Sequence, residues 1–168
     1  MKIREERSSD IDIIWNLNSM VFETEAEANL VNALRNSGCT YLSLVADIAG
    51  KVVGHIFFSP VELTGNKNNL KIMGLAPMAV LSEFQNRGIG TKLVRTGLAY
   101  CKARAYDAAV VLGHPTYYPR FGFVPSVNFD IKSEYDVPDD VFMIQALRTG
   151  ALKHHRGIIK YQQAFNQV

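Results

Sequence analysis

The sequence predicts a mixed α/β fold with a mostly antiparallel sheet and one strand–helix–strand crossover. Residues 78–105 pass from a short apolar run through a loop with two glycines to apolar positions at helical spacing. Residues 108–112, AAVVL, form a wholly apolar run that is typical of a strand buried on both faces. Residues 41–61 contain two extended segments joined at Ala49-Gly50, which is typical of a hairpin. With no repeat or linker, the 168 residues predict one domain spanning 1–168.

The first forty residues predict a short strand and two helices. Residues 2–6 fit a strand, and Ser9 with Asp12 indicates a helix N-terminus before an apolar helical face. Thr24-x-x-Glu27 fits a capping box that would start a second helix, and Gly38 fits its end.

The central segment predicts three strands. Residues 41–47 and 51–61 form the hairpin, the polar residues 65–69 predict a turn, and residues 70–81 predict a long strand. Pro77 lies inside that strand, and because proline cannot donate to a ladder it predicts a bulge. The backbone of Met78, Ala79 and Val80 would then be free to pair with an extended ligand that carries amide groups.

The remaining chain predicts a helix over residues 89–105 and a strand over residues 108–112. Residues 125–141 have the composition of a loop. Residues 141–147 and 157–165 predict closing strands, with the second also compatible with a helix.

Composition excludes several classes of protein. The net charge of +2 is small and scattered, so we expect no nucleic-acid partner and no acidic membrane surface. The charged start lacks the apolar segment of a signal peptide, and no apolar run approaches the ~18 residues of a membrane helix. Cys39 and Cys101 lie far apart without metal or redox spacing. We therefore expect reduced thiols in a cytoplasmic protein.

The loop before the predicted third helix has the features of an anion site. The first N–H groups of a helix lack internal partners, and the helix dipole adds partial positive charge there. Gly88 and Gly90 remove Cβ atoms that would keep a bulky anion away from these groups. Candidate contacts to phosphate groups are Gln85, Asn86, Arg87, Gly88, Ile89, Gly90 and Thr91.

The glycine spacing selects among phosphate ligands. The P-loop pattern is absent, and the dinucleotide pattern fails where Leu93 replaces its third glycine. Gln85-x-x-Gly88-x-Gly90 resembles the coenzyme A signature of the GNAT superfamily of N-acetyltransferases. Residues 118–123, YPRFGF, resemble a second hallmark, a tyrosine four residues before Gly-Phe.

The resemblance spans nearly the whole chain. Residues 27–35 and 54–60 further resemble a small bacterial branch of predicted acetyltransferases. One departure is His114-Pro115, where the family often has asparagine before the tyrosine.

The resemblance implies a GNAT-like fold that binds acetyl-CoA where the fourth and fifth strands splay apart. The pantetheine arm would pair with the backbone of residues 78–80, and the pyrophosphate would lie on the N–H groups of residues 85–91. Phe121 would add a cofactor contact, and His114 would either contact the cofactor or only shape the turn before Pro115. Tyr118, with an ordinary pKa of ~10, keeps its proton at neutral pH and is the candidate donor to the leaving thiolate. Its alternative role is core packing beside Tyr117 and Phe121.

Other candidate residues have competing structural roles. Glu27 is a candidate substrate contact or base, but it also fits the capping box. Glu62 is a second candidate near a strand end, where a solvated carboxylate is more common. His55 is more often a hydrogen-bonded core histidine than a catalyst. Residues 153–156, KHHR, fit a solvated turn, and adjacent histidines of an extended chain point to opposite faces, so no metal site is expected.

These observations lead to one principal function and two alternatives. We expect an acetyl-CoA-dependent N-acetyltransferase that transfers the acetyl group directly to a primary amine of a small molecule or peptide. A non-catalytic acyl-CoA-binding or regulatory module on the same fold is the alternative. Acetylation of aminoacyl-tRNA is weaker, because it would need a clustered basic face. Exposed sheet edges make a homodimer possible.

Overall fold

A computed structural model describes residues 1–65 and 69–168. Within these residues the helices and strands are β1 Lys2–Glu5, α1 Ile11–Phe22, α2 Ala26–Asn36, β2 Leu42–Ile48, β3 Lys51–Leu63, β4 Ile72–Val80, α3 Ile89–Ala103, β5 Ala108–Leu112, β6 Val124–Pro125, β7 Ile131–Ser133, β8 Phe142–Ala146 and β9 Gly157–Lys160. The turn predicted at residues 65–69 lies partly outside the described residues. None of the described helices is long and apolar enough to cross a membrane.

The strands form a mixed and mostly antiparallel sheet, as predicted. Its main order is β1-β2-β3-β4-β5-β8-β6, and β9 pairs with β3 and β7 outside that path. β4 pairs parallel with β5 and β7 pairs parallel with β9, whereas β1 with β2, β2 with β3, β3 with β9, β5 with β8 and β6 with β8 are antiparallel. The register of β4 and β5 runs from Ile72 with Ala108 to Leu75 with Val111, and β4 continues to Val80. The strand–helix–strand crossover from β4 through α3 to β5 is therefore confirmed.

The chain divides into two compact units. Unit 1 comprises residues 1–59, 76–97 and 163–168, and unit 2 comprises residues 60–75 and 98–162. A single domain over 1–168 stays a prediction, and each unit is described by itself.

Unit 1 has an apolar core between its two N-terminal helices and the strands β2 and β3. Its buried members are Ile14, Leu17, Leu30, Val31, Leu34, Val45, Val52, Phe57 and Ala79. Largely buried ion pairs hold the N-terminus. Arg4 contacts Asp10 at 2.7 Å and Asp47 at 3.1 Å, and Arg35 contacts Glu6 at 2.9 Å.

Unit 2 has its own apolar core around β5 and β8. Its buried members are Val61, Leu63, Leu70, Ile72, Ala108, Val110, Ile131, Phe142, Ile144, Leu152 and Ile159. Asp107, just before β5, accepts hydrogen bonds from the Lys71 N–H and the Arg148 side chain. These contacts fix the start of β5 and therefore the position of the segment that follows it.

Several predicted element ends are wrong. Neither Ser9 nor Asp12 caps the first helix. Asp10 directly precedes it, and its Oδ2 accepts the Arg7 N–H at 2.7 Å across the 3-10 turn Ser8–Asp10 that leads into the helix. The second helix starts at Ala26, since Thr24 Oγ1 accepts the Ala26 N–H and donates to Glu27 without forming the full capping box. Residues 125–141 contain the short strand β7, and β9 ends at Lys160 before a 3-10 turn.

Candidate functional site

The glycine loop lies between β4 and α3, as the sequence predicts. A short 3-10 helix, Ser82–Phe84, leads from the strand to exposed residues 85–88, and α3 begins at Ile89. The Leu81 N–H donates to the Val53 carbonyl at 2.9 Å, which attaches the start of the loop to β3. The predicted strand, loop and helix are confirmed, and the bend is open to solvent.

Glycines let α3 lie close to β3 within unit 1. A Cβ atom at Gly97 would lie 2.4 Å from Phe58 Cε2, and one at Gly54 would lie 3.1 Å from Leu93 Cδ1. Real Cβ atoms essentially never come as close as the first distance, so the helix depends on glycine there. This packing fixes the N-terminus of α3 and the loop before it.

The backbone of the loop requires glycine at residue 88. Gly88 has a φ of +82°, which L residues with a side chain adopt at a cost, and Asn86 has a φ of +61°. A Cβ atom at Gly88 would have no heavy atom within 4 Å. Gly88 is therefore needed for the turn, and the space beside its α-carbon is available to a ligand.

The first turn of α3 presents backbone donors. The helical series begins with the Lys92 N–H donating to the Gly88 carbonyl at 3.0 Å. The N–H groups of Ile89 and Gly90 precede this bond and have no acceptor inside the helix. Together with the helix dipole, they form a site that favours an anion.

Two cations lie beside the loop. The Arg87 guanidinium carbon is 5.3 Å, and the Lys51 Nζ 5.2 Å, from the centre of the Phe84 ring. Both are within the range of cation–π attraction. Glu83 partly offsets the charge of Lys51, with Nζ and Oε1 3.8 Å apart at an exposed site. The prediction named Arg87 but missed Lys51, which is the first residue of β3 and is far away in sequence.

Gln85 has an internal partner. Its Nε2 donates to the Val80 carbonyl at 2.9 Å, so one backbone group predicted to pair with a ligand is already engaged. Ala79 is 2% exposed and belongs to the core of unit 1, whereas Met78 and Val80 are half-buried. Of these strand residues, Ala79 can offer a ligand only its backbone.

Tyr118 lies in an aromatic cluster of unit 2. It is 9% exposed, and its ring meets Tyr117 edge-on at 5.0 Å and Phe123 edge-on at 5.8 Å. Burial, with a smaller contribution from Tyr117, raises the pKa of Tyr118 to about 12. The phenol therefore keeps its proton throughout the neutral range, and the predicted packing with Tyr117 and Phe121 is also present.

His114 and Phe121 flank this tyrosine in sequence but differ in exposure. His114 is exposed. Its backbone carbonyl accepts hydrogen bonds from the Tyr117 N–H at 3.1 Å and the Tyr118 N–H at 3.4 Å. Phe121 is 7% exposed, with its ring 5.3 Å from that of Tyr117. The His114 side chain is thus accessible, while Phe121 mainly packs within the cluster.

A family model described as an acetyltransferase (GNAT) domain matches residues 2–125. The chain belongs to the GNAT acetyltransferase family. The Escherichia coli (strain K12) protein named "Uncharacterized N-acetyltransferase YhbS" is 36% identical over 168 residues, covering 99% of each chain.

Solved structures of GNAT proteins share the fold. A crystal structure of YhbS from Escherichia coli in complex with CoA has a TM-score of 0.92 at 36% identity and covers 98% of this chain and 91% of that chain. An acetyltransferase of the GNAT family from Brucella melitensis, in complex with acetyl-CoA, has a TM-score of 0.81 at 34% identity, with 98% and 97% covered. The predicted family and fold are confirmed.

The two carboxylates proposed near a substrate lie in different settings in this GNAT chain. Glu27 Oε2 accepts a hydrogen bond from Thr24 Oγ1 at 3.1 Å at the start of α2. Glu62 is exposed on β3, opposite Lys160 of β9. Glu27 belongs to unit 1 and Glu62 to unit 2.

His55 is a core residue. It is fully buried, with Nε2 2.9 Å from Ser43 Oγ and Nδ1 3.1 Å from Asn18 Nδ2. Because Asn18 Nδ2 also donates to the Ile14 carbonyl, His55 Nδ1 accepts and Nε2–H donates to Ser43. Burial, with a smaller effect of the Arg35 charge, lowers the pKa of His55 to about 3. His55 is therefore a hydrogen-bonded core histidine, as the sequence favoured, and not an accessible catalytic group.

The basic turn at residues 153–156 lines a surface cavity of about 480 Å³ in unit 2, together with Asn128, Phe129, Asp130 and Leu152. Within residues 1–65 and 69–168, no group of three or more histidine, cysteine or acidic side chains is arranged to hold a metal ion.

Proposed function

We propose that this GNAT protein uses acetyl-CoA to acetylate a primary amine by direct transfer. The observation that carries the proposal is the exposed glycine loop at the start of α3, with backbone donors at Ile89 and Gly90 and the guanidinium of Arg87 beside it. The membership of the GNAT family and the coenzyme A in the two solved relatives support the same ligand.

The glycine loop fits a diphosphate on physical grounds. Anions bind where unpaired backbone N–H groups and a helix dipole coincide, and the space beside Gly88 is free of protein atoms. In this proposal residues 85–91 hold the pyrophosphate, and the backbone of residues 78–80 pairs with the pantetheine arm. Since Gln85 engages the Val80 carbonyl, that pairing requires the glutamine amide to move or to share its acceptor.

Tyr118 is proposed to donate a hydrogen bond to the sulfur as the thiolate leaves. Its pKa of about 12 ensures that the phenol is protonated. An ordinary thiol has a pKa of ~8.5, so full proton transfer from Tyr118 to a free thiolate would be uphill by about 5 kcal/mol. The phenol therefore stabilises the developing charge first. As the N–C bond forms and the C–S bond breaks, the phenol proton completes the S–H bond, and the proton that the attacking nitrogen loses restores the phenol.

Neither cysteine suits a covalent intermediate. Cys101 is fully buried in α3, and burial raises the pKa of its thiol to about 12. The half-buried Cys39 donates to the Leu34 carbonyl at 3.4 Å. A thiol must ionise to act as a nucleophile, so these environments favour direct attack of the amine on the thioester.

The acceptor amine determines how much help deprotonation needs. A lysine-type amine of pKa ~10.4 costs roughly 4.6 kcal/mol to neutralise at pH 7, whereas an α-amine of pKa ~7.7–8.0 costs about 1 kcal/mol. Glu27 and Glu62 are the proposed carboxylates for holding a cationic acceptor. His114 and Phe121 are proposed as cofactor contacts, with His114 the accessible one of the two.

The cytoplasm is the proposed location. Cys39 and Cys101 are both free thiols, which fits a reducing compartment.

A homodimer stays a prediction that sedimentation velocity would test, with one species of twice the chain mass as the expected result.

Two measurements test the proposed function. Calorimetric titration with coenzyme A should give saturable binding, and acetyl-CoA should release free thiol in the presence of one class of amine. The amine panel contains polyamines, amino acids, aminoglycosides and peptide N-termini. Binding without release across the panel would favour the non-catalytic module, and absence of binding would contradict both.

A further inference from the structure

The Tyr118 ring lies directly against the backbone of Gly113, the residue after β5. A Cβ atom built on Gly113 would be 2.4 Å from Tyr118 Cε2 and 2.9 Å from Cδ2. Real Cβ atoms essentially never come within 3.0 Å of another heavy atom in this way. The ring therefore occupies the space that any side chain at residue 113 would need.

The requirement at residue 113 is for space and not for an unusual backbone angle. Gly113 does not have a positive φ, so an alanine could adopt its backbone conformation. Its N–H donates to the Val141 carbonyl at 2.9 Å, and the neighbouring Leu112 pairs with Phe142 of β8. The backbone under the ring is thus held by the sheet of unit 2.

Other aromatic rings also pack against Tyr118. Tyr117 and Phe123 present edges to it at interplanar angles of 89° and 84°. The Tyr118 backbone is held through its N–H, which donates to the His114 carbonyl at 3.4 Å. Gly113, Tyr117 and Phe123 thus form a slot around the Tyr118 ring. Since the backbone is held as well, the position of the phenol hydroxyl depends on how deeply the ring lies in this slot.

We propose that Gly113 is a positioning residue for Tyr118: the missing side chain at residue 113 sets where the phenol hydroxyl lies. This inference rests on the proposed role of Tyr118 at the leaving sulfur. Gly113 itself touches no reacting atom and acts only through the ring.

Alanine at residue 113 should displace the hydroxyl. To reach the 3.4 Å of ordinary contact, Cε2 must move by about 1 Å from its present 2.4 Å. A hydrogen-bond donor works over about 2.6–3.2 Å, and a misplacement of about 1 Å can cost roughly 100-fold in rate. We expect Gly113→Ala to lower kcat about 10- to 100-fold while KM for acetyl-CoA changes less than about threefold.

A double-mutant cycle distinguishes positioning from general damage. The kcat for thiol release is measured, with the most active amine of the panel, for the wild type, Gly113→Ala, Tyr118→Phe and the double variant. If Gly113 acts through the hydroxyl, adding Gly113→Ala to Tyr118→Phe should change kcat by less than about twofold. An equal loss in both backgrounds, or no loss in the wild-type background, would overturn the inference. Normal turnover of Tyr118→Phe alone would instead refute the proposed role of the tyrosine.

Two further variants show whether a loss of kcat comes from general destabilisation of the fold. Gly150→Ala is the control for a glycine replacement elsewhere in unit 2, since the nearest atom to its Cβ would be Lys153 Cδ at 3.9 Å. It should lower the melting temperature and leave kcat unchanged. Phe123→Leu loosens the slot without inserting an atom, and it should lower kcat only when the Tyr118 hydroxyl is present. If Gly113→Ala does not fold, an equal effect of Phe123→Leu in both backgrounds overturns the inference.

A spectroscopic measurement needs no acceptor. The ionisation of Tyr118 is followed by ultraviolet absorbance in the wild type and in Gly113→Ala. For each of these two proteins, the titration of the same protein carrying Tyr118→Phe is subtracted. Displacing the ring toward solvent should lower its pKa from about 12 toward its ordinary value. An unchanged titration in folded Gly113→Ala would show that the ring has not moved, and this would overturn the inference.

Discussion

The two units offer their proposed functional groups in opposite ways. Unit 1 exposes backbone: Gly88 is open to solvent, and the N–H groups of Ile89 and Gly90 precede the first helical bond. Unit 2 buries a side chain, since Tyr118 is only 9% exposed within an aromatic cluster. A backbone site is determined by where glycines stand in the sequence, whereas the direction of a buried phenol depends on how the groups around its ring pack in three dimensions.

The units also differ in the buried groups that can ionise. In unit 1 the neutral His55 has a pKa of about 3, so the unfolded chain takes up a proton at a higher pH than the folded chain. In unit 2 the pKa values of Tyr118 and Tyr161 are raised by burial, so the unfolded chain loses those protons first as the pH rises. Of these three groups, His55 should therefore reduce stability in acid and the two tyrosines should reduce it in alkali.

The largest expected effect is that of Tyr118→Phe. Loss of a positioned proton donor should lower kcat by about 10²- to 10⁴-fold, with KM for acetyl-CoA within about threefold, because the ring stays in place. Steady-state thiol release measures both constants.

Tyr135→Phe is the matched control for removal of a phenol hydroxyl. Tyr135 also lies in unit 2, and its buried hydroxyl has no hydrogen-bond partner among the described residues. Its loss should leave kcat unchanged and stability equal or higher. Similar kcat losses in the two variants would remove the special role of Tyr118.

Acid should reduce the free energy of unfolding through His55. With a pKa of about 3 folded and ~6.5 unfolded, stability is full above pH ~6.5 and is lost as the pH falls toward 3, by about 2 kcal/mol at pH 5. Urea unfolding at pH 8 and pH 5 should show a smaller difference for His55→Gln than for the wild type. His154→Gln, at an exposed residue, is the control and should keep the wild-type difference. Equal pH dependence of wild type and His55→Gln would contradict the account.

Alkali should reduce stability through Tyr118. Its folded pKa of about 12 exceeds the unfolded ~10, so its contribution is full below pH 10 and is lost as the pH rises through 12, by about 1.4 kcal/mol at pH 11. The melting temperature of Tyr118→Phe should therefore fall less than that of the wild type between pH 9 and pH 11. Parallel curves would contradict the buried, protonated phenol.

Two glycines of unit 1 form a matched pair. Gly88 and Gly38 have φ values of +82° and +83°, and neither Cβ would have a neighbour within 4 Å. Each replacement by alanine should cost about 1–2 kcal/mol of left-handed backbone strain. Only Gly88→Ala should also raise KM for acetyl-CoA, by about tenfold if a similar amount is lost from binding. Equal KM values for the two variants would separate Gly88 from the cofactor.

The smallest expected effect is that of Arg87→Gln. An exposed cation near a phosphate contributes less than about 1 kcal/mol, so Kd for coenzyme A should rise a few-fold at low salt and converge with the wild type at high salt. Lys2→Gln makes the same charge change at an exposed residue of β1 and should have no effect. A salt-independent change would argue against an electrostatic contact at Arg87.

The sequence predicted well the strand, loop and helix around Gly88 and Gly90. The apolar run, the two glycines and the change to helical spacing at Ile89 are local signals, and each matches the structure. Local signals failed at two places. The Asp10 side chain, paired with Arg4 and the Arg7 N–H, holds the turn before the first helix in place of a cap at Ser9. The three-residue β7 has too short a pattern to recognise.

The arrangement around Tyr118 was only partly predictable. Tyr117 and Phe121 are neighbours in sequence, so their contact with Tyr118 was expected. The close approach of Gly113 to the ring was not expected, because it depends on how the chain turns after β5 and on the packing of Phe123 against Tyr118. A glycine at a strand end has many possible causes, and the sequence alone does not select this one.

Nuclear magnetic resonance of the backbone amides during titration with coenzyme A tests the central claim most directly. The account predicts saturable shifts that are largest for the N–H groups of Gly88, Ile89 and Gly90, with little change at Gly38 and Gly50 of the same unit. Tight, saturable binding that leaves the three loop amides unmoved would contradict it.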